Sequence, residues 1–192
     1  MSDLKVLVEA SGRHVHVTEA DLETLFGKGF QLEVKKELSQ PGQFLSHQKV
    51  EVVGPKGSLK TVSIIGPCRK QSQVEISFTD ARPLGVTAPV RESGKLEGSA
   101  GCTLIGPAGQ VELSEGVIVA KRHVHISEED GKKHGFADGE SIRVKIEGER
   151  GLVFDEVVAR VGPQHATAMH IDYDEANASG AFGTVYGLVT KK

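Results

Sequence analysis

Two copies of one tetrapeptide carry the most chemistry in this chain: Arg13-His14-Val15-His16 and Arg122-His123-Val124-His125. In an extended strand, residues i and i+2 project to the same face. A His-x-His on a strand therefore aims two imidazoles at one point, the grip used on a borderline metal such as zinc. The copies lie 109 positions apart. Each follows an apolar run (6–8 and 117–120) and leads into a capping sequence, Thr18-Glu19-Ala20-Asp21 or Ser127-Glu128-Glu129-Asp130. Two such pairs imply two metal ions, or one ion between two halves of a duplicated protein.

The duplication reaches further. Residues 74–81 align with 169–176 at an offset of 95, which makes Glu75 and His170 equivalent. A Gly-Pro precedes each segment (Gly66-Pro67, Gly162-Pro163) and a glycine follows each (Gly85, Gly180). Each half thus offers a triplet, His14, His16 and Glu75 or His123, His125 and His170. Three protein ligands with a fourth position open is the pattern of a catalytic zinc site. The rival reading is that the halves preserve an ancestral packing pattern, with the histidines satisfied by backbone partners. Packing alone needs no polar pair in each half, which disfavours it.

Arg69 lies just after Gly66-Pro67 and six residues before Glu75. A guanidinium beside a metal centre offers a planar fork to phosphate. His47 (placed in a loop), His134 (at a helix end) and His165 read as surface residues. Cys68 reads as a small buried hydrophobe, and Phe78 and Tyr173 as core.

The elements that must position these groups are short. Apolar segments rich in Val and Ile at 50–53, 59–65, 103–105, 111–113, 141–146 and 152–161 predict strands. Gly54-Pro55-Lys56-Gly57, Gly106-Pro107-Ala108-Gly109 and 147–151 predict hairpin turns. Two helices are predicted, one from Thr18 to a stop at Gly27, the other from Ser127 to near Gly135. Many short strands with regular turns suggest barrels or sandwiches.

Bulk properties exclude several classes. Net charge is −3 and no long basic block occurs, which argues against nucleic acid as the main partner. No apolar run approaches the roughly 20 residues of a membrane span. The start, Met1-Ser2-Asp3-Leu4, lacks the basic flank and apolar region of a signal peptide. Two cysteines, Cys68 and Cys102, make no disulfide framework, so a reduced, cytoplasmic protein is expected.

At these residues the sequence resembles the PduL-type phosphate acyltransferases, or phosphate propanoyltransferases. The resemblance runs through 13–16, 38–44, Gly66-Pro67 with Arg69-Lys70-Gln71, 74–77, Asp80-Ala81-Arg82, 88–93, 122–125, 148–155 and 170–178, nearly end to end. It implies a mainly β fold of two small β-barrels from a duplicated unit, with strands exchanged between halves and short capping helices. The active site would lie at the barrel interface with two zinc ions per chain. The implied domains are a central barrel of 13–26 with 48–120, a second barrel of 3–12 with 121–190, and a connecting loop or short helix insertion at 27–47. Arg69 would hold phosphate, and Ser11, Lys36 and Asn177 would line the coenzyme A nucleotide pocket. Cys68 departs from the aliphatic residue expected there. Relatives housed in bacterial microcompartments carry an N-terminal targeting extension, whereas here the first predicted strand begins almost at once, which favours the cytosol.

The expected reaction is reversible: acyl-CoA (acetyl- or propanoyl-) plus phosphate gives acyl phosphate plus CoA. No Ser-His-Asp arrangement is visible, so no covalent acyl-enzyme is expected. The alternatives are a dimetal thioesterase or phosphatase, which would cleave thioesters without phosphate, and a non-catalytic metal-stabilised binding module. A homodimer is an assembly the sequence allows.

Overall fold

The computed structural model describes residues 4–192, so Met1, Ser2 and Asp3, including the first residue of the expected 3–12 segment, lie outside the described residues. Contacts divide the chain into two units. One holds residues up to Ser11, Ser39–Pro41 and Lys121–Lys192; the other holds Gly12–Leu38 and Gly42–Ala120.

The N-terminal barrel contains β2 (His14–His16), β4 (Phe44–Val53), β5 (Ser58–Gly66), β6 (Gln73–Glu75), β8 (Ala100–Ile105) and β9 (Gln110–Ala120). Pairing runs β4-β5-β2-β6-β9-β8 and returns from β8 to β4, closing the ring. Two short strands, β3 (Val34–Glu37) and β7 (Val90–Arg91), add to its margin on β4 and β9. The C-terminal barrel closes as β1 (Leu4–Ala10), β13 (Ala168–Ile171), β10 (His123–Ser127), β12 (Leu152–Gly162), β11 (Ser141–Ile146) and β14 (Val185–Lys191). Closure leaves no unpaired ring edge, the usual hazard of small sheets.

The expected strand exchange is present. The strand ahead of the first His-x-His, β1, pairs with β13 and β14 of the C-terminal barrel. The strand ahead of the second, β9, pairs with β6 and β8 of the N-terminal barrel. All three predicted turns join antiparallel neighbours: β4 to β5, β8 to β9 and β11 to β12.

Strand alternation separates core from chemistry. Val15 and Val17 are fully buried in one core with Val62, Ile64, Val74 and Leu104. Val124 and Ile126 do the same in the other with Val144, Met169 and Val189. The histidines between them therefore point to the opposite, outer face of each barrel wall. Truncating a side chain such as Ile64, 0% exposed, costs about 2–5 kcal/mol.

Each barrel also carries a bulge in the second strand of its first hairpin. Register slips between Val50 and Val52 and between Ile142 and Val144. The extra residues, Thr61 and Glu156, hold φ of 57° and 52° at positions 95 apart.

Among the described residues four helices occur where two were expected. α1 (Glu19–Phe26) and α3 (Glu128–His134) start at the expected caps, Thr18 and Ser127. α2 (Phe78–Leu84) and α4 (Tyr173–Ser179) follow β6 and β13, capped by Ser77 and Asp172. At seven residues each they show too little periodicity to be seen in sequence, and Pro83 sits inside α2. Their signals were the caps themselves, a Ser-x-x-Asp and an Asp-x-x-Glu capping box, with left-handed glycines Gly85 and Gly180 at their ends.

Several expectations need correction. Residues 27–47 contain no helix; β3 and the start of β4 lie there, and His47 is an exposed strand residue. Phe78 and Tyr173 are not core, being 54% and 53% exposed, because each is the first residue of its helix and faces outward. Among the described residues no helix is long and apolar enough to cross a membrane.

Candidate metal centres and their surroundings

In the N-terminal barrel the ladder brings the expected triplet together. His14 stands opposite Glu75 across β2 and β6. The His14 Nδ1–H donates to the Gly12 carbonyl at 2.8 Å and the His16 Nδ1–H to the Ile65 carbonyl at 3.0 Å. Those bonds fix the tautomer and turn both Nε2 lone pairs toward Glu75, as outer partners do for ligating histidines. His14 Nε2 is 3.5 Å from Glu75 Oε2, and His16 Nε2 is 3.8 Å from Oε1. Two donors bound about 2.0–2.1 Å from one tetrahedral zinc lie about 3.3–3.4 Å apart, so the spacing suits a shared ion.

Electrostatics here are set by burial. Burial alone would lower the His14 pKa, but the Glu75 carboxylate more than offsets it and the pKa is raised. His16 is pushed down to about 3 by burial, then by His14 and Arg69. Burial would raise Glu75, yet His14, His16 and the Ser93 hydroxyl hold it well below the usual carboxylate range. A neutral imidazole and an ionised carboxylate are the forms that bind zinc.

Glu75 does not stand alone. The Ser93 hydroxyl donates to its Oε1 at 2.9 Å, while accepting from Gln73 Nε2 at 2.7 Å and from Arg69 Nη1 at 2.9 Å. One donor and two acceptor positions are all a hydroxyl has, so Ser93 is fully used. Gln73 also donates to Glu75 Oε1, and its own oxygen accepts from Gly94 N at 2.9 Å. Arg69 is thereby tied through Ser93 to the carboxylate. The polar amides that follow Arg69 were expected beside the metal, and Gln73 is one of them; the role of Ser93 was missed because the return of residue 93 to residue 75 is a tertiary contact.

In the C-terminal barrel, β10 and β13 place His123 opposite His170. The His123 Nδ1–H donates to the Lys121 carbonyl at 2.9 Å, the counterpart of His14 on Gly12, and His123 Nε2 lies 3.2 Å from His125 Nε2. The ligand atoms of His123, His125 and His170 all lie within 4.8 Å of one another, as do those of His14, His16 and Glu75. His125 is pushed down to about 2, by burial first and then by the neighbouring imidazoles. Its buried Nδ1 has no hydrogen-bond partner among the described residues. Three crowded imidazoles suit a cation better than they suit one another. His165, expected at the surface, packs its ring 4.5 Å from that of His125 and is anchored on the Arg160 carbonyl at 2.7 Å.

The arginines of the repeated tetrapeptide act as struts. Arg13 pairs with Asp80 of α2 at 2.7 Å, and Arg122 pairs with Glu175 of α4 at 2.8 Å. Each links a His-x-His strand to the helix that follows the third candidate ligand. Of the remaining expected residues, Ser11 donates its backbone N–H to the Ile171 carbonyl at 2.8 Å. Asn177 is exposed on α4 and Lys36 is exposed on β3. Cys68 is half-buried against the N-terminal core, its pKa raised by burial and then by Glu19.

These features define a class: a duplicated two-barrel protein with one candidate metal centre per barrel and an arginine keyed to one of them. Comparison with known proteins narrows it. A family model described as phosphate propanoyltransferase matches residues 7–181. A phosphate propanoyltransferase of Enterococcus faecalis is 53% identical over 184 residues, covering 96% of this chain and 87% of the relative. Those of Leptotrichia buccalis and Listeria monocytogenes are 50% identical over 185 and 187 residues, covering 96% and 97% of this chain and 88% of each relative. The chain belongs to the phosphate propanoyltransferase family, and it is an acyltransferase.

Proposed function

We propose that this chain transfers a short acyl group, propanoyl or acetyl, between coenzyme A and inorganic phosphate, with one zinc ion held by His14, His16 and Glu75 and a second by His123, His125 and His170. The observation that carries the reading is the pair of donor clusters, whose His14, His16 and His123 rings are fixed by backbone carbonyls so that Nε2 faces the other donors. Zinc at such a site supplies Lewis-acid polarisation of the thioester carbonyl and a good partner for a leaving thiolate.

The chain's own residues do the positioning. Arg69 presents its guanidinium to phosphate, with Nη1 anchored on Ser93. Holding the nucleophile in place converts an encounter into an oriented attack. Ser93 and Gln73 fix the Glu75 carboxylate, which stays ionised. Ser11, Lys36 and Asn177 are assigned to coenzyme A contacts, as the family resemblance implies. Cys68 and Cys102 are free thiols, in keeping with a reduced cytosolic setting.

Metal analysis coupled to a free-thiol assay tests the reading. Thiol release from propanoyl-CoA and acetyl-CoA should require both phosphate and about two metal ions per chain. Release without phosphate would replace transfer by hydrolysis, and folded protein with no turnover on any thioester would leave a binding module. Sedimentation of the purified chain tests the homodimer.

A further inference from the structure

Each cluster lies in a lateral row across its barrel wall. The N-terminal row reads Ser63, His14, Glu75, Ile118 on β5, β2, β6 and β9. The C-terminal row reads Val158, His123, His170, Glu9 on β12, β10, β13 and β1. The rows are equivalent, so the second histidine of each pair meets an equivalent backbone carbonyl, Ile65 on β5 for His16 and Arg160 on β12 for His125. In the N-terminal barrel that carbonyl accepts from the His16 Nδ1–H at 3.0 Å. In the C-terminal barrel it accepts from a different ring, the Nδ1–H of His165, at 2.7 Å. His125 Nδ1 is left buried with no hydrogen-bond partner among the described residues.

We propose that His165 withholds the Arg160 carbonyl from His125 and so weakens the hold of the C-terminal centre on its metal. The inference rests on the two-metal reading. A neutral histidine that ligates through Nε2 carries its proton on Nδ1, and an acceptor for that proton fixes the ring and makes it a better donor. His16 has such an acceptor. His125, 7% exposed, must carry its proton without one, in a place where an unmade hydrogen bond is costly. The His165 ring also stands against the ring it deprives, with centroids 4.5 Å apart and planes at 65°.

The loop between β12 and β13 keeps His165 in this place. Its backbone N–H donates to the Gly162 carbonyl at 3.3 Å. The Gln40 amide brackets the next residue, donating to the Ala166 carbonyl at 2.9 Å and accepting from the Ala166 N–H at 3.3 Å. The Thr167 hydroxyl then accepts from the Ser127 N–H at 3.0 Å and donates to Asp130. Glycine at 162 gives the ring room, since a Cβ there would lie 3.3 Å from it. The loop between β5 and β6 instead sends Arg69 to Ser93, and the Ile65 carbonyl goes to His16.

The experiment titrates zinc into the full-length chain against a competing chelator and resolves two binding steps. His14→Ala and His123→Ala, each deleting one step, identify them. His165→Ala removes the competing donor. The step lost in His123→Ala should then tighten by about tenfold, the lower end of what an outer partner contributes, with the other step unchanged. In nitrogen-edited NMR spectra of the zinc-loaded variant, the His125 Nδ1–H proton should move downfield as it gains the carbonyl. His165→Phe keeps a ring but cannot donate; it is the second variant should the first not fold, and it should shift the same step in the same direction. Unchanged affinity would overturn the inference, and weaker binding would overturn it by making His165 a support for His125. Uptake of fewer than two ions by the wild type would instead bring down the two-metal reading beneath it.

Discussion

The two barrels share one construction and differ in where they keep their acid. In the N-terminal row the carboxylate is central, on β6 between His14 and the apolar Ile118. It is enclosed by Ser93 and Gln73 and connected to Arg69. In the C-terminal row the centre is His170, and the carboxylate is Glu9 at the end. Duplication preserved the scaffold, including caps, struts and bulges 95 or 109 positions apart, while a few side chains were exchanged. One such exchange, Glu75 against His170, separates a site built round a carboxylate from one made mainly of imidazole.

The largest effect should come from breaking the strand exchange. Each barrel closes with a strand that precedes the other barrel's His-x-His. The fragment 115–192 lacks β1, so β13 and β14 would each lose a partner and Val6 and Val8 would leave the core. An opened ring exposes strand edges and apolar surface. That fragment should not fold alone, and adding the N-terminal fragment should restore it. A well-dispersed NMR spectrum from 115–192 by itself would show that closure by β1 is dispensable.

Next in size is the loss of either cluster. His14→Ala and His123→Ala should each remove about one metal ion per chain and cut turnover on the order of 10³-fold, at the upper end for a lost electrostatic contact. Elemental analysis beside the thiol assay checks both.

How much of this could be read from the chain depends on distance along it. His14 and His16, like His123 and His125, are two residues apart, and a strand alone puts them on one face. Glu75 and His170 emerged from comparing the halves, because a repeat carries positional information that a single copy lacks. Ser93 reaches Glu75 through a loop, and Glu9 reaches His170 across 161 positions of sequence through a register set only when β1 closes its barrel. Cross-strand register needs the partner strand to be known. His165 was dismissed for lacking a sequence neighbour of ligand type, yet its partner is a ring contact with His125.

A smaller effect separates the barrels at Arg69, since the stretch that follows Gly162-Pro163 holds Gln164 and His165 and no arginine. Arg69→Lys keeps the charge but loses the fork, and its contact with Ser93 becomes less directional. The Michaelis constant for phosphate should rise about tenfold, with that for acyl-CoA little changed. Unaltered phosphate kinetics would make Arg69 a support for Ser93 and nothing more.

The smallest expected effect lies in the paired bulges. Thr61 and Glu156 both have left-handed backbone, with φ of 57° and 52°. That conformation brings Cβ close to the following carbonyl and is worst for β-branched side chains, whereas Asn tolerates it. Thr61 has little to lose: among the described residues its hydroxyl donates only to the adjacent Lys60 carbonyl, at 2.7 Å. Glu156 accepts from the Ser141 hydroxyl at 3.2 Å and pairs with Lys192, contacts an Asn would give up. Thr61→Asn should therefore stabilise the chain by about 0.5–1 kcal/mol, raising Tm by roughly 1–4 °C in a protein of this size. Glu156→Asn should raise it less or not at all. Equal gains at both positions would mean that the backbone alone sets the strain, and that branching at Thr61 adds nothing to it.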